Sequence, residues 1–179
     1  MRGSHPRYGR GVVDDAYGIP STVHSALDEE LYALIGRTAA LGALLEDRLA
    51  ALVSQVSNGP QREAFQMLGS ASQKLLRRRL AAYDQNARER EFAVAASQLV
   101  IDAQEALRDR HDIVHRVWSQ ITPDVWVGRK ADRGAGDADW MEARIFTRLA
   151  FTEVFDRQVD LIKQTGELIA TAGSFPRRP

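Results

Sequence analysis

Arg108-Asp109-Arg110-His111-Asp112-Ile113-Val114-His115-Arg116-Val117-Trp118 is the stretch on which the reading of this chain turns. Upstream of it, Phe92, Ala96, Leu99, Ala103 and Leu107 recur at three- and four-residue steps, the period of one helix face. Continued at the same steps, the stripe passes through Arg110 or His111, then Val114 or His115, then Trp118. The pattern predicts a helix that runs to about Trp118 and whose inner face changes from aliphatic to Arg and His. Unpaired burial of such groups is costly, so a partner charge, a second subunit or a ligand is expected to meet them.

Outward from that stretch, the chain reads as amphipathic helices. A capping-box-like spacing of Ser25 and Asp28 opens a first helix, and Leu31, Leu34, Leu41, Leu45, Leu49, Leu52 and Val56 form its stripe. Asn58-Gly59 is a stop signal, and Pro60 suits the first turn of a second helix. That helix uses Phe65, Leu68, Leu75, Leu76, Leu80 and Tyr83, with Arg77-Arg78-Arg79 as a solvated face, the weaker alternative being a phosphate-contacting ridge. A polar turn from Asp84 to Ala87 leads into the long third helix, which Thr122-Pro123 ends. Val125-Trp126-Val127 is β-prone, and a Gly- and Asp-rich run follows it. A hairpin over about 124–148, or a structured loop, is expected there. Thr152 is the expected N-cap of a last helix carrying Phe155, Val159, Ile162, Leu168 and Ile169, ended by Gly173 and Pro176. The expected fold class is therefore all-α: an antiparallel four-helix bundle over 21–175, an insertion at about 122–150, and a flexible tail over 1–20.

Composition narrows the partners. Lys and Arg (24) balance Asp and Glu (24), so no global field draws the chain to nucleic acid or anionic lipid, and any RNA contact needs a local patch. There is no cysteine, hence no disulfide, thiolate metal site or Cys nucleophile. No apolar run is long enough to span a membrane, and the N-terminal residues lack the apolar core of a secretory signal, so the cytoplasm is the expected compartment.

The quoted stretch also resembles the signature of HEPN-type ribonuclease domains, an Arg followed after four to six residues by His. Arg110 to His115 gives R-x4-H, Arg108 to His115 gives R-x6-H, and "RHDIVHRVW" is similar to a block found in many HEPN-like bacterial proteins. Where Asn or Asp commonly follows the Arg, this chain has His111. The resemblance implies a metal-independent endoribonuclease with no cofactor, acting as a toxin or phage-defence effector. It also implies a homodimer in which two motifs face each other, an RNA substrate, and an antitoxin protein as a further partner.

The residue types fit that chemistry. Metal-free RNA cleavage needs a base for the ribose 2′-OH and positive donors for the phosphate. His115 is the expected base, Arg110 the phosphate donor, and His111, one turn before His115, the assisting acid or orienting group. Arg108, Arg116 and Asp112 flank them as candidate substrate contacts. Arg110 and His115 are five positions apart and point well away from each other on an ideal helix, whereas Arg108 and His115 are nearly aligned. The competing expectation is a non-catalytic, dimeric interaction module. In it Arg110 pairs with Glu46 or Asp47, the histidines cap carbonyls, and the cluster only fixes an interface. Trp118, Trp126 and Trp140 are expected to pack rather than to stack on bases. Metal binding by His111, His115 and Asp112, and nucleotide binding at Gly134-Ala135-Gly136, are the weaker alternatives.

Overall fold

The structure, a computed structural model, describes residues 29–60, 64, 78–131 and 141–176. Its elements are α1 (Glu29–Ser57), α2 (Ala87–Val114), β1 (Val117–Thr122), β2 (Val125–Ala131), β3 (Met141–Thr147) and α3 (Arg148–Gly173). The expected first-helix cap at Ser25, most of the expected second helix, Trp140 and Gly134–Gly136 lie outside the described residues.

The helix ends follow local chemistry. Asn58 has φ 52°, the left-handed conformation that closes α1 where Asn58-Gly59 signals a stop. Asn86 caps α2: its side chain accepts from Glu89 N (3.0 Å), and the Glu89 carboxylate accepts from Gln85 N (3.2 Å). The last helix begins earlier than expected. Thr147, not Thr152, is its N-cap, accepting from Ala150 N, and the Thr152 hydroxyl instead donates to Arg148 O.

The all-α expectation is corrected by a three-stranded antiparallel sheet in the order β1-β2-β3. β2 and β3 pair over the segment where a hairpin or loop was expected, with Val127 opposite Ile145. β1 was not expected at all, since the third helix was to continue to Trp118. It stops at Val114 instead, and Val117 starts a strand that pairs with Arg129. The physical reason lies in Val117, Ile121 and Thr122, β-branched residues that suit a strand better than a helix end. Trp118 adds a specific lock: its indole N–H donates to Ile113 O (3.1 Å), satisfying one of the carbonyls that a helix C-terminus leaves open.

Among the described residues, α1, α2, α3 and the sheet enclose two apolar clusters. The larger is built by Leu45, Leu49 and Leu52 of α1, Phe92, Ala96 and Leu99 of α2, and Leu161 of α3; Ala64, Leu80 and Tyr83 also join it. The smaller lies under the sheet and contains Leu31, Leu34, Ile113, Trp118, Trp126 and Phe151. Between them runs a polar layer. Thr38 and Gln158 are fully buried, Gln158 Nε2 donates to Thr38 O (3.5 Å), and Gly42 faces the stem of Arg110. Arg148 ties the sheet to the start of α1 through Glu30 and holds Asp124 at 2.8 Å.

Trp126 is fully buried and meets Phe151 edge-on at 5.8 Å, so it anchors the sheet on the helices. Trp126→Ala is expected to lower stability by about 3–5 kcal/mol, through lost burial and an unfilled cavity. Urea unfolding of wild type and variant measures this.

Candidate active site at the helix–sheet junction

The quoted stretch spans the last turns of α2 and the first residues of β1, and its polar residues go three different ways. Arg110 lies on the face of α2 that carries Ala103, Ala106 and Ile113, all buried, and its stem packs against Gly42. A Cβ on Gly42 would sit 2.8 Å from Arg110 Cγ, so only glycine leaves room for this side chain. Arg110 is half-buried overall, and its Nε is buried without a hydrogen-bond partner. It forms no ion pair with Glu46 or Asp47, the carboxylates expected to meet it.

His111 and His115 leave the core. Both are exposed, and their rings are 4.4 Å apart. Of the three, Arg110 turns to the inner face, with the histidines rotated to the outer one. At roughly 100° per residue, Arg110 and His115 point about 140° apart. His115 also occupies the C-cap, its N–H donating to His111 O. Partial desolvation, then the nearby His115, Lys130 and Arg110, hold the His111 imidazole below its ordinary 6.5; the Asp112 carboxylate acts in the opposite direction. Arg108 is largely exposed and lies 3.9 Å from Glu105.

Arg116 and Asp112, expected as substrate contacts, are instead the centre of an ion network. The Arg116 side chain is 0% exposed. Its Nη2 meets Asp112 Oδ1 (2.7 Å), Asp112 Oδ2 (2.8 Å) and Glu142 Oε1 (3.2 Å), and its Nη1 donates to Gly128 O (3.1 Å). Its guanidinium also lies over the Phe146 ring, 5.8 Å from the centroid. A Cβ on Gly128 would fall 2.6 Å from Arg116 Cδ, so this glycine opens the strand to the buried guanidinium. Asp112 further receives Arg144 Nη1 (2.7 Å) and Lys130 Nζ (3.7 Å). Desolvation by itself would raise the Asp112 carboxyl, but the hydrogen bonds and charges of Arg116 and Arg144 prevail and hold it below 3.8.

Sequence reading did not single out Gly42, Gly128, Lys130, Glu142 or Arg144. A glycine inside a strand pattern is a sign of close approach, and Gly128 carried that sign. The others depend on a sheet register that local pattern does not fix. Behind Asp112, a cleft of about 290 Å³ is lined by Asp109, Arg144, Phe146, Glu153 and Arg157. Arg157 is paired there with Glu105 (2.6 Å) and Asp109 (3.4 Å). Among the described residues, no group of three or more His, Asp or Glu is placed to hold a metal ion. No helix among them is long and apolar enough to cross a membrane.

Two outcomes follow from the network. Asp112→Asn leaves the buried Arg116 charge with Glu142 alone, and is expected to cost about 2–3 kcal/mol at pH 7. The Asp112 pKa is lower folded than unfolded, so its contribution is complete above about pH 4. It is lost as pH falls through the folded value, and the variant is expected to lack that part of the acid dependence in urea titrations. In NMR titrations, His111 is expected to ionise below 6.5 in wild type, and closer to 6.5 in His115→Asn.

Compared with known proteins, the chain matches no protein-family model, no curated protein and no solved structure.

Proposed function

We propose that this chain is a metal-independent endoribonuclease of HEPN type, working as a cytoplasmic homodimer in toxin or defence biology. The observation that supports the reading is the exposed pair of touching imidazoles, His111 and His115, with His111 kept below its ordinary pKa by its surroundings. Two imidazoles in contact can divide the work near neutral pH, one as base and the other, neutral, as a hydrogen-bond donor that orients the phosphate. His115 takes the proton of the ribose 2′-OH. The 2′-oxygen attacks the phosphorus and the 5′-oxygen leaves, taking its proton from water, while the neutral His111 imidazole orients the phosphate through its N–H. The products are a 2′,3′-cyclic phosphate and a 5′-hydroxyl. Arg110 supplies positive charge to the phosphate. Because Arg110 and His115 diverge on one helix, Arg110 of one protomer serves the histidines of the other. An antitoxin protein that covers the histidine pair would complete the system.

A second reading has its own observation. Arg116 and Asp112 are committed to the ion network, and the Arg110 stem is committed to the α1–α2 contact. A non-catalytic dimeric module would use the stretch in this structural way, with the histidines as surface residues.

Cleavage of labelled RNA in EDTA separates the two. Wild type is expected to leave cyclic phosphate ends. His115→Ala is expected to lose at least about 100-fold in rate, the usual contribution of a general base. Arg110→Lys is expected to lose activity while remaining folded. No cutting by a folded wild type, across RNAs of varied sequence, gives the interaction module.

A further inference from the structure

Lys130 stands apart from the other cations around Asp112. The β1–β2 register places Val117 opposite Arg129, so Lys130 falls beside Arg116, directly after His115 in the chain. Lys130 has the parity of Trp126 and Gly128, the buried positions of β2, and its side chain reaches back to the end of α2. It is thereby brought alongside the turn that carries His111 and His115.

Three cations share the Asp112 carboxylate, and they are held unequally. Arg116 is enclosed and additionally bonded to the Gly128 carbonyl, so it is not free to turn outward. Arg144 makes a 2.7 Å contact and also approaches Glu142 at 3.9 Å, on the cleft side of Asp112. Lys130 makes the longest contact, 3.7 Å, and its side chain is 34% exposed. With Arg116, Arg144 and Lys130 set against Asp112 and Glu142, the network carries one positive charge in excess. An ammonium on a flexible stem is the member able to exchange one oxygen partner for another.

We propose that Lys130 is a positioning residue of the histidine site, swinging from Asp112 to a phosphate oxygen of a bound RNA strand. The proposal rests on the ribonuclease reading and adds to it a residue from the sheet. The phosphate it holds neighbours the one being cleaved, so Lys130 sets where the strand lies across His111 and His115. Its departure from Asp112 leaves Arg116 and Arg144 in place, so the network survives the exchange.

The test uses the full chain and a single-stranded RNA oligonucleotide with 2′-O-methyl groups throughout, which binds without being cut. Affinity is measured over a series of salt concentrations for wild type, Lys130→Gln and Lys130→Arg, with Tm recorded for each. Losing one phosphate contact is expected to reduce the slope of log Kd against log salt by roughly 0.7 in Lys130→Gln. Lys130→Arg is expected to restore the slope. With cleavable RNA, Lys130→Gln is expected to raise KM several-fold more than it lowers kcat. A wild-type slope in a folded Lys130→Gln protein overturns the proposal, as does a wild type that does not bind the oligonucleotide. If wild type binds with the Lys130-dependent slope but never cleaves, the strand-positioning role stands and the catalytic reading falls. If it cleaves with a slope indifferent to Lys130, the reverse holds.

Discussion

Burying the guanidinium of Arg116 is the constraint on which the helix–sheet junction depends. An enclosed charge of this kind is tolerable only when acceptors meet it, and here a helix, a strand carbonyl and a second strand supply them to its two terminal nitrogens, leaving the Nε as its one unmet donor. Asp112 must stand one turn before Arg116, β2 must present the Gly128 carbonyl with no side chain in the way, and β3 must bring up Glu142. The three elements are thus fixed relative to one another by one side chain. Arg116 follows His115 directly, so the same constraint sets the position of the exposed histidine pair.

The chain uses glycine twice to admit an arginine. Gly42 lets α1 lie against the Arg110 stem, and Gly128 lets β2 lie against Arg116. Both arginines belong to the motif-like stretch, yet their surroundings differ. The terminal nitrogens of Arg116 meet acceptors on three sides, whereas the Arg110 stem packs on Gly42; the Nε of each is buried without a hydrogen-bond partner.

Much of the helical framework was legible because helix ends are written locally. Asn58-Gly59 and Gly173 are such signals, and the stripes through Leu45, Leu49 and Leu52 and through Phe92, Ala96 and Leu99 recur as buried faces. The sheet was only half legible. Val125-Trp126-Val127 announced a strand, but Val117 to Thr122 continued a helical stripe closely enough to be taken for its tail. The deciding contact, Trp118 with the Ile113 carbonyl, exists only once β1 has turned back over α2. The site shows the same division. The residue types were evident, but their faces were not: three- and four-residue steps allow either Arg110 or His111 inward, and the Gly42 gap decides for Arg110. The roles of Lys130, Glu142 and Arg144 follow from strand register, which the short alternating strands did not reveal.

The polar layer between the two apolar clusters has a consequence for helix alignment. Apolar faces alone permit neighbouring helices to slide by a turn, since one leucine resembles the next. Moving α3 by one turn would take the Gln158 amide away from Thr38 O and set it among the apolar side chains of one cluster. A single buried amide of this kind works as a register pin, much as one polar residue does in a coiled-coil seam. It fixes the height of α3 on α1, and Gly42 fixes the height of α2 through Arg110. The ruler that places the sheet and the histidines along the bundle is thus a layer of three polar side chains and one glycine, none of which belongs to either hydrophobic core.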